Sequence, residues 1–464
     1  MIKDKAFYRT ILRLSLPAAF QGLINLLVVM ADNLMVTRLD PLGHSFAAVV
    51  QSNSITNLAI ALLTGLASGS IVLISQYWGR KDTRRIQQVT AAVMALAVGV
   101  ALLMALLINL FPTQILHIVI NRRETGAVAL ALTYLPLVCL SYIPYAVSAC
   151  LVGMLKGVEI VRVTVYTTLA SLVFNVGLNY VLIFGKLGLP ALGIQGAALA
   201  TVLARVMEML LVIWYSARKQ QVVRMTPRAL LRQASWAWVD YFRYGLPVGI
   251  TDAQWAVVGM LKMVIIGQLG ILMSNAAGVS DSLLNLGTLF TFSLAGGAAV
   301  MVGKAVGQDD IPKVKDYART IQIMFLLVGI FMAALVFLVR KPFVALYGLP
   351  VEAAALAEHM VALCTLTLIG TSYHASCFIG INRGAGDNRF VMLVDMVCGW
   401  LIVLPAAFLG GFVLKLPLAW VYFLTRIDQT FKWIIAYRRL RTDKWIHRVT
   451  RDEALEAAMP AGSA

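Results

Sequence analysis

Between Arg85 and Arg122 the chain carries no ionisable side chain other than His117. A helix needs only about 20 apolar residues to cross a hydrocarbon core of ~30 Å. Unpaired backbone groups cannot be left in lipid, so a stretch of this kind must be a helix that closes its own hydrogen bonds. Similar stretches recur along all 464 residues, of which 60% are hydrophobic and 13% charged, with a mean hydropathy of +0.82. Soluble domains carry about 25% charged residues, and no alternating ten-residue pattern suggests a membrane barrel. The fold class is all-α integral membrane.

Twelve spans are expected, near 11–36, 45–77, 88–111, 127–153, 163–184, 193–216, 240–268, 274–303, 319–339, 352–379, 390–412 and 417–437. The formal charge of +17 could suggest nucleic acid, but the placement of the charges decides otherwise. With the amino terminus inside, inward segments hold clusters such as Arg80, Lys81, Arg84 and Arg85, or Arg438, Arg439, Arg441 and Lys444. Outward segments hold few basic residues. This is the positive-inside pattern, so both termini are expected in the cytoplasm and no nucleic-acid partner is implied. All five cysteines fall inside apolar spans without metal-ligand spacing and read as packing residues.

Arg13 to Leu39 aligns without a gap onto Arg243 to Leu269, matching Leu16 with Leu246, Pro17 with Pro247 and Met30 with Met260. Further pairs follow at slowly drifting offsets, among them Gly79 with Gly307 and Arg162 with Arg389. Six helices per repeat is an even number, so the second half re-enters from the same side as the first. The expected architecture is two parallel six-helix bundles related by a pseudo-twofold axis along the membrane normal. The division is residues 1–217 for the first lobe, 218–239 for a cytoplasmic linker, 240–440 for the second lobe and 441–464 for a cytoplasmic tail.

An ionisable group at bilayer depth costs roughly 2.5–3.5 kcal/mol on insertion scales, so each needs a partner or a function. Asp32, near the end of the first span, is one case; an interfacial carboxylate satisfied by Arg38 is the plain alternative. Asn175 and Asn179 are spaced i, i+4 on one helix face. With Thr201 on the next span and Asp32 they would supply one carboxylate and several neutral oxygens, suited to an alkali cation or a proton. Interhelical hydrogen bonding that only holds the lobe together explains the same residues. Gln51, Asn53 and Asn57 on the second span are cavity candidates or a polar seam.

In the second half, Asp252, Asp281, Asn285 and His374 are the cavity candidates. A salt bridge from Asp281 to Lys262 would account for both charges, and Lys262 stands at the position equivalent to Asp32. Arg205 and Glu208 read as a local i, i+3 ion pair; Arg426 and Asp428 either pair or reach toward the interface. Pro17 and Pro247 each remove a helix hydrogen bond and favour a kink, and Pro17 is a candidate hinge. The tail from Arg441, with Trp445, Ile446 and Val449 among basic residues, reads as a short surface helix on anionic lipid.

Several segments together resemble the multidrug and toxic compound extrusion family. They are Leu16-Pro17, Ala31-Asp32-Asn33-Leu34-Met35-Val36, Gln76-Tyr77-Trp78-Gly79-Arg80-Lys81-Asp82, Asn175 to Tyr180 with Phe184-Gly185-Lys186, Pro190 to Thr201, and Arg383-Gly384-Ala385-Gly386-Asp387-Asn388-Arg389. The resemblance implies an antiporter of twelve helices in two bundles that expels amphipathic, chiefly cationic organic compounds against inward Na+ or H+. It implies that Asp32, Asn175, Asn179 and Thr201 form the coupling-cation site and that ion binding there alters the first helix. The acid that one branch of the family carries on its tenth helix is missing, since His374 and Tyr373 stand there instead. A non-enzyme is expected, with no cofactor beyond Na+ as a coupling ion, membrane lipid and small-molecule substrate as partners, and a monomer in the inner (plasma) membrane. The alternatives are a flippase for lipid-linked precursors or another ion-coupled solute carrier. No His-Glu-x-x-His, Gly-x-Ser-x-Gly or nucleotide-binding loop favours an enzyme.

Overall fold

Asp82 and Asp310 each accept a hydrogen bond from the backbone N–H three residues on, at 3.0 and 3.2 Å, and so start helices with satisfied first turns. Gly185, at φ +66°, ends another by adopting the left-handed conformation that costs glycine least. Between such signals the apolar runs close into long helices. The structure is a computed structural model that describes residues 5–37, 44–119, 125–219, 223–225, 234–347 and 349–450. Within these, the side chains of 25–37, 44–47, 50–51, 118–119, 125–127, 219, 271 and 443 are outside the description.

The first half contains α1 (Lys5–Thr37), α2 (His44–Gly79), α3 (Thr83–Leu110), a short helix (Pro112–Val119), α4 (125–157), α5 (Arg162–Phe184) and α6 (Gly193–Trp214). The second contains α7 (Ser235–Gln268), α8 (Ile271–Gly307), α9 (Ile311–Ala345), α10 (351–383), α11 (Asn388–Val413) and α12 (418–440). Each expected span has its helix. Among the described residues, nine helices are long and apolar enough to cross a membrane, or ten with the bent pair that makes up α10. Leu102, Leu103, Leu106 and Leu110 on α3, and Leu327, Phe331 and Leu338 on α9, are exposed in apolar rows of the kind that face lipid.

Contacts gather the helices into two compact units. One comprises Met1–Ala19, Ser75–Lys81 and Ile250–Pro460, as far as these are described; the other comprises Phe20–Ile74 and Asp82–Gly249. Each unit therefore takes in the start of the other half's first helix: α1 passes from one unit to the other just after Pro17, and α7 just after Pro247. In the unit of Ile250–Pro460, Phe7 of α1 packs against Tyr317 of α9, with ring centroids 4.9 Å apart. In the other, the Tyr241 hydroxyl of α7 donates to the Leu66 carbonyl at 2.8 Å. Pro247 follows a π-helical turn, Tyr241–Gly245, in which the wider winding accommodates the hydrogen bond that proline cannot make.

The described part of the tail, 441–450, differs from expectation; residues 451–464 lie outside the described residues. Trp445 is 2% exposed, and residues 446–450 run on without helix along the unit of Ile250–Pro460. The His447 N–H donates to the Ala385 carbonyl at 2.8 Å, and the Val449 N–H donates to Gln76 Oε1 at 2.9 Å. Gln76 Nε2 donates to the His447 carbonyl at 3.2 Å and to the Gly384 carbonyl at 3.4 Å. Arg439 grips Asp387 with two bonds of 2.7 and 3.1 Å. Gly386, at φ +89°, leaves no room for a Cβ, which would lie 2.9 Å from the His447 oxygen. Backbone acceptors in the 384–387 turn thus hold as a strap what the sequence suggests as a lipid-surface helix.

Candidate functional site

In the first half, Asn175 and Asn179 are both buried on α5, and Asn179 Nδ2 donates to Asn175 Oδ1 at 3.2 Å. Thr164, Thr168 and Ser171 continue the same buried face, which forms a polar seam through the unit. Ser171 bonds the Ala204 carbonyl of α6 at 3.3 Å. The two helices approach so closely at Gly196 that a Cβ there would stand 2.6 Å from the Leu182 carbonyl oxygen, which only a small residue permits. Gln21 of α1 donates to Thr168 Oγ1 at 3.1 Å and fixes α1 against the seam.

Thr201 bonds the Ala197 carbonyl of its own helix at 3.0 Å. Asp32 lies in α1, but its side chain is outside the described residues, as is that of Gln51. Asn53 accepts from the Tyr134 hydroxyl at 3.3 Å, and Asn57 is exposed. Arg205 and Glu208 form the expected i, i+3 pair at 2.7 Å. Pro17 lies within α1.

The second half encloses a cavity of about 660 Å³ to which α7, α8, α10, α11 and α12 all contribute. Asp252, Asp281, Asn285 and His374 all line it, so the candidates picked out in this half share one space. Its walls form where helices depart from regular winding. α10 bends by 47° after Thr365 and then widens into π-turns over Ser376–Arg383. α12 leaves helical geometry around Arg426, and this irregular backbone carries Arg426, Asp428 and Gln429 into the wall. Non-helical backbone at membrane depth is tolerated where it lines a cavity, and broken helices commonly frame transporter sites.

The charges are paired across helices. Arg383 reaches Asp252 at 3.0 Å, and Arg426 reaches Asp281 at 3.7 Å while the Tyr422 hydroxyl donates to the same carboxylate at 2.6 Å. Lys432 bridges Asp395 at 2.6 Å and Asp428 at 3.3 Å, and its ammonium lies 4.8 Å from the Trp255 ring centroid. His374 Nδ1 lies 3.0 Å from the Gly370 carbonyl and is satisfied within its own helix. The expected bridge between Asp281 and Lys262 is replaced by Arg426. Lys262 instead faces Trp255, 6.0 Å from its ring centroid. Lys432 is the functional candidate that sequence reasoning missed; the signal was its i, i+4 spacing from Asp428 inside an apolar span.

An all-helical multi-pass chain whose second half encloses a polar cavity framed by broken helices has the build of a transporter. The profile of the MatE family matches residues 17–181 and again 247–409. The chain belongs to this family, and the two matches begin at the paired prolines Pro17 and Pro247. It is 24% identical over 448 residues, 96% of each chain, to the uncharacterized transporter YisQ of Bacillus subtilis. It is 25% identical to the probable multidrug resistance protein NorM of Rhizobium meliloti, over 89% of this chain and 91% of that one. Among solved structures, a MATE crystallised in the bent conformation superimposes with a TM-score of 0.84 at 18% identity, covering 97% of this chain and 96% of that one. The shared fold has twelve transmembrane helices in two bundles.

Proposed function

We propose that this protein is a secondary active multidrug efflux transporter that exports amphipathic organic compounds by alternating access, driven by inward Na+ or H+ at Asp32, Asn175, Asn179 and Thr201. The observation that carries the coupling site is the register of α1 against α5. Gln21 bonds Thr168, Asp32 stands eleven residues beyond Gln21, and Asn179 stands eleven beyond Thr168. At 1.5 Å per residue both advances are about 16 Å. In helices that run the same way this brings the Asp32 backbone to the depth of the Asn175–Asn179 pair.

One carboxylate among neutral oxygens binds an alkali cation through charge and several weaker ligands, or holds a proton whose uptake removes a buried charge. Either event changes how α1 sits on the seam, and Pro17 allows α1 to bend there. The basic clusters support a reading with both termini in the cytoplasm, and on that reading the protein is a plasma-membrane monomer in contact with membrane lipid. The only bound ion the cycle requires is the coupling ion, and no cofactor takes part.

Transport into everted vesicles, with Na+ and H+ gradients imposed separately, tests the reading. Asp32→Asn is expected to lower ion-driven accumulation of ethidium to the level without a gradient while the protein remains folded. Undiminished accumulation by Asp32→Asn would remove that carboxylate from coupling.

A further inference from the structure

We propose that the cavity of the second half binds amphipathic compounds through an anionic group, a carboxylate or a group of like charge, held by Lys262. The inference rests on the efflux reading for the fate of the compound and on the cavity alone for its binding. The volume, about 660 Å³, falls within the range of small-molecule sites. Trp255, Phe292 and Phe378 give it flat apolar walls.

The charges then decide the sign of the guest. Asp252 pairs with Arg383, Asp281 with Arg426, and Asp395 and Asp428 share Lys432, which leaves one negative charge on that triad. The wall's four acids and four bases balance only with Lys262 counted, so the guest's sign follows from which charge lacks a direct partner and not from a net excess. Lys262 differs from every other lysine or arginine of the wall: among the described residues no carboxylate lies within ion-pairing distance of its ammonium. Its ammonium lies 6.0 Å from the ring centroid of Trp255, and Asp281 and Asp428 act on it from beyond ion-pair distance. A charged group at this depth is costly without a partner, and because Lys262 lines the cavity, a guest carboxylate can supply that partner.

A cationic guest meets the opposite conditions. Trp255, the wall's best surface for a cation, already has Lys432 on it at 4.8 Å and Lys262 at 6.0 Å. The carboxylates are engaged, so a cation would have to displace Lys432 or an arginine to reach one. The repeat reinforces the contrast, since Lys262 occupies the place that Asp32 holds in the first half. The two halves therefore carry residues of opposite charge at equivalent sequence positions, and a guest with an anionic group suits the second.

The test uses the full-length protein in lipid nanodiscs and equilibrium dialysis with two probes that share a ring system, 1-naphthylacetate and 1-naphthylmethyl-trimethylammonium, against empty nanodiscs. Wild type is expected to prefer the carboxylate. Lys262→Gln is expected to weaken it by about tenfold or more, as loss of a charge-assisted bond does, without weakening the ammonium probe. Lys262→Arg, which keeps the charge, is expected to retain most of the carboxylate affinity and guards against a loss caused by misfolding. No carboxylate binding above empty nanodiscs, an unchanged affinity in Lys262→Gln, or an equal loss of both probes would overturn the assignment. Efflux of ethidium and of 1-naphthylacetate by cells that express the wild type tests the transport reading separately. Absent efflux of both ethidium and 1-naphthylacetate, with Lys262-dependent binding, would overturn that reading and leave this one standing.

Discussion

Lys432 is 2% exposed and holds two carboxylates, Asp395 and Asp428, on one ammonium. Removing the ammonium would leave two buried acids facing each other without a counter-charge. Breaking a buried ion pair from one side costs about 3–5 kcal/mol, so Lys432→Met is expected to lower the thermal unfolding midpoint in detergent markedly. The triple variant that adds Asp395→Asn and Asp428→Asn should regain most of the loss; a midpoint that stays low would show that the lysine stabilises by packing. The four candidates of the second half were legible in sequence because an ionisable or amide group stands out in an apolar span. Their partners were not. Pairing across helices depends on which faces meet, and the choice of Arg426 over Lys262 for Asp281 was made by the break in α12.

Twelve apolar runs became twelve helical rods, because lipid allows no other use of an uncharged stretch of that length. What periodicity did not show is where those rods deform, as in the bend and π-turns of α10 and the broken backbone of α12. The tail is the clearest case of a pattern with two outcomes. Trp445, Ile446 and Val449 among arginines suit a lipid surface, but hydrogen bonds to Gln76 and to the 384–387 turn hold the segment extended. Those bonds leave buried partners unsatisfied when the strap is removed, at about 1–3 kcal/mol each for the groups that water cannot reach. Truncation after Lys444 is therefore expected to lower the unfolding midpoint and to speed proteolysis near residue 80. Truncation after Thr450 should do neither, and equal effects of the two would place the stabilising contacts beyond the strap.

At the scale of the whole molecule, alternation of sides follows from helix count and from the distribution of arginine and lysine. Lys186, in the turn between α5 and α6, and Arg84, at the start of α3, are both exposed and are expected on opposite sides. In intact cells a membrane-impermeant maleimide should label Lys186→Cys but label Arg84→Cys only after permeabilisation, with little background because the five native cysteines are buried. Labelling of both from outside would contradict the inferred topology. The sequence by itself determined the all-α membrane class, the twelve spans, the duplication at Pro17 and Pro247 and the buried asparagine pair, because each follows from local hydropathy or from spacing within one helix. Only the tertiary structure decided that the starts of α1 and α7 join the unit of the other half, that the tail becomes a strap, and which charge meets which around the cavity. These depend on contacts between residues far apart in the chain, and apolar helix faces of similar composition leave many such pairings open until packing selects one.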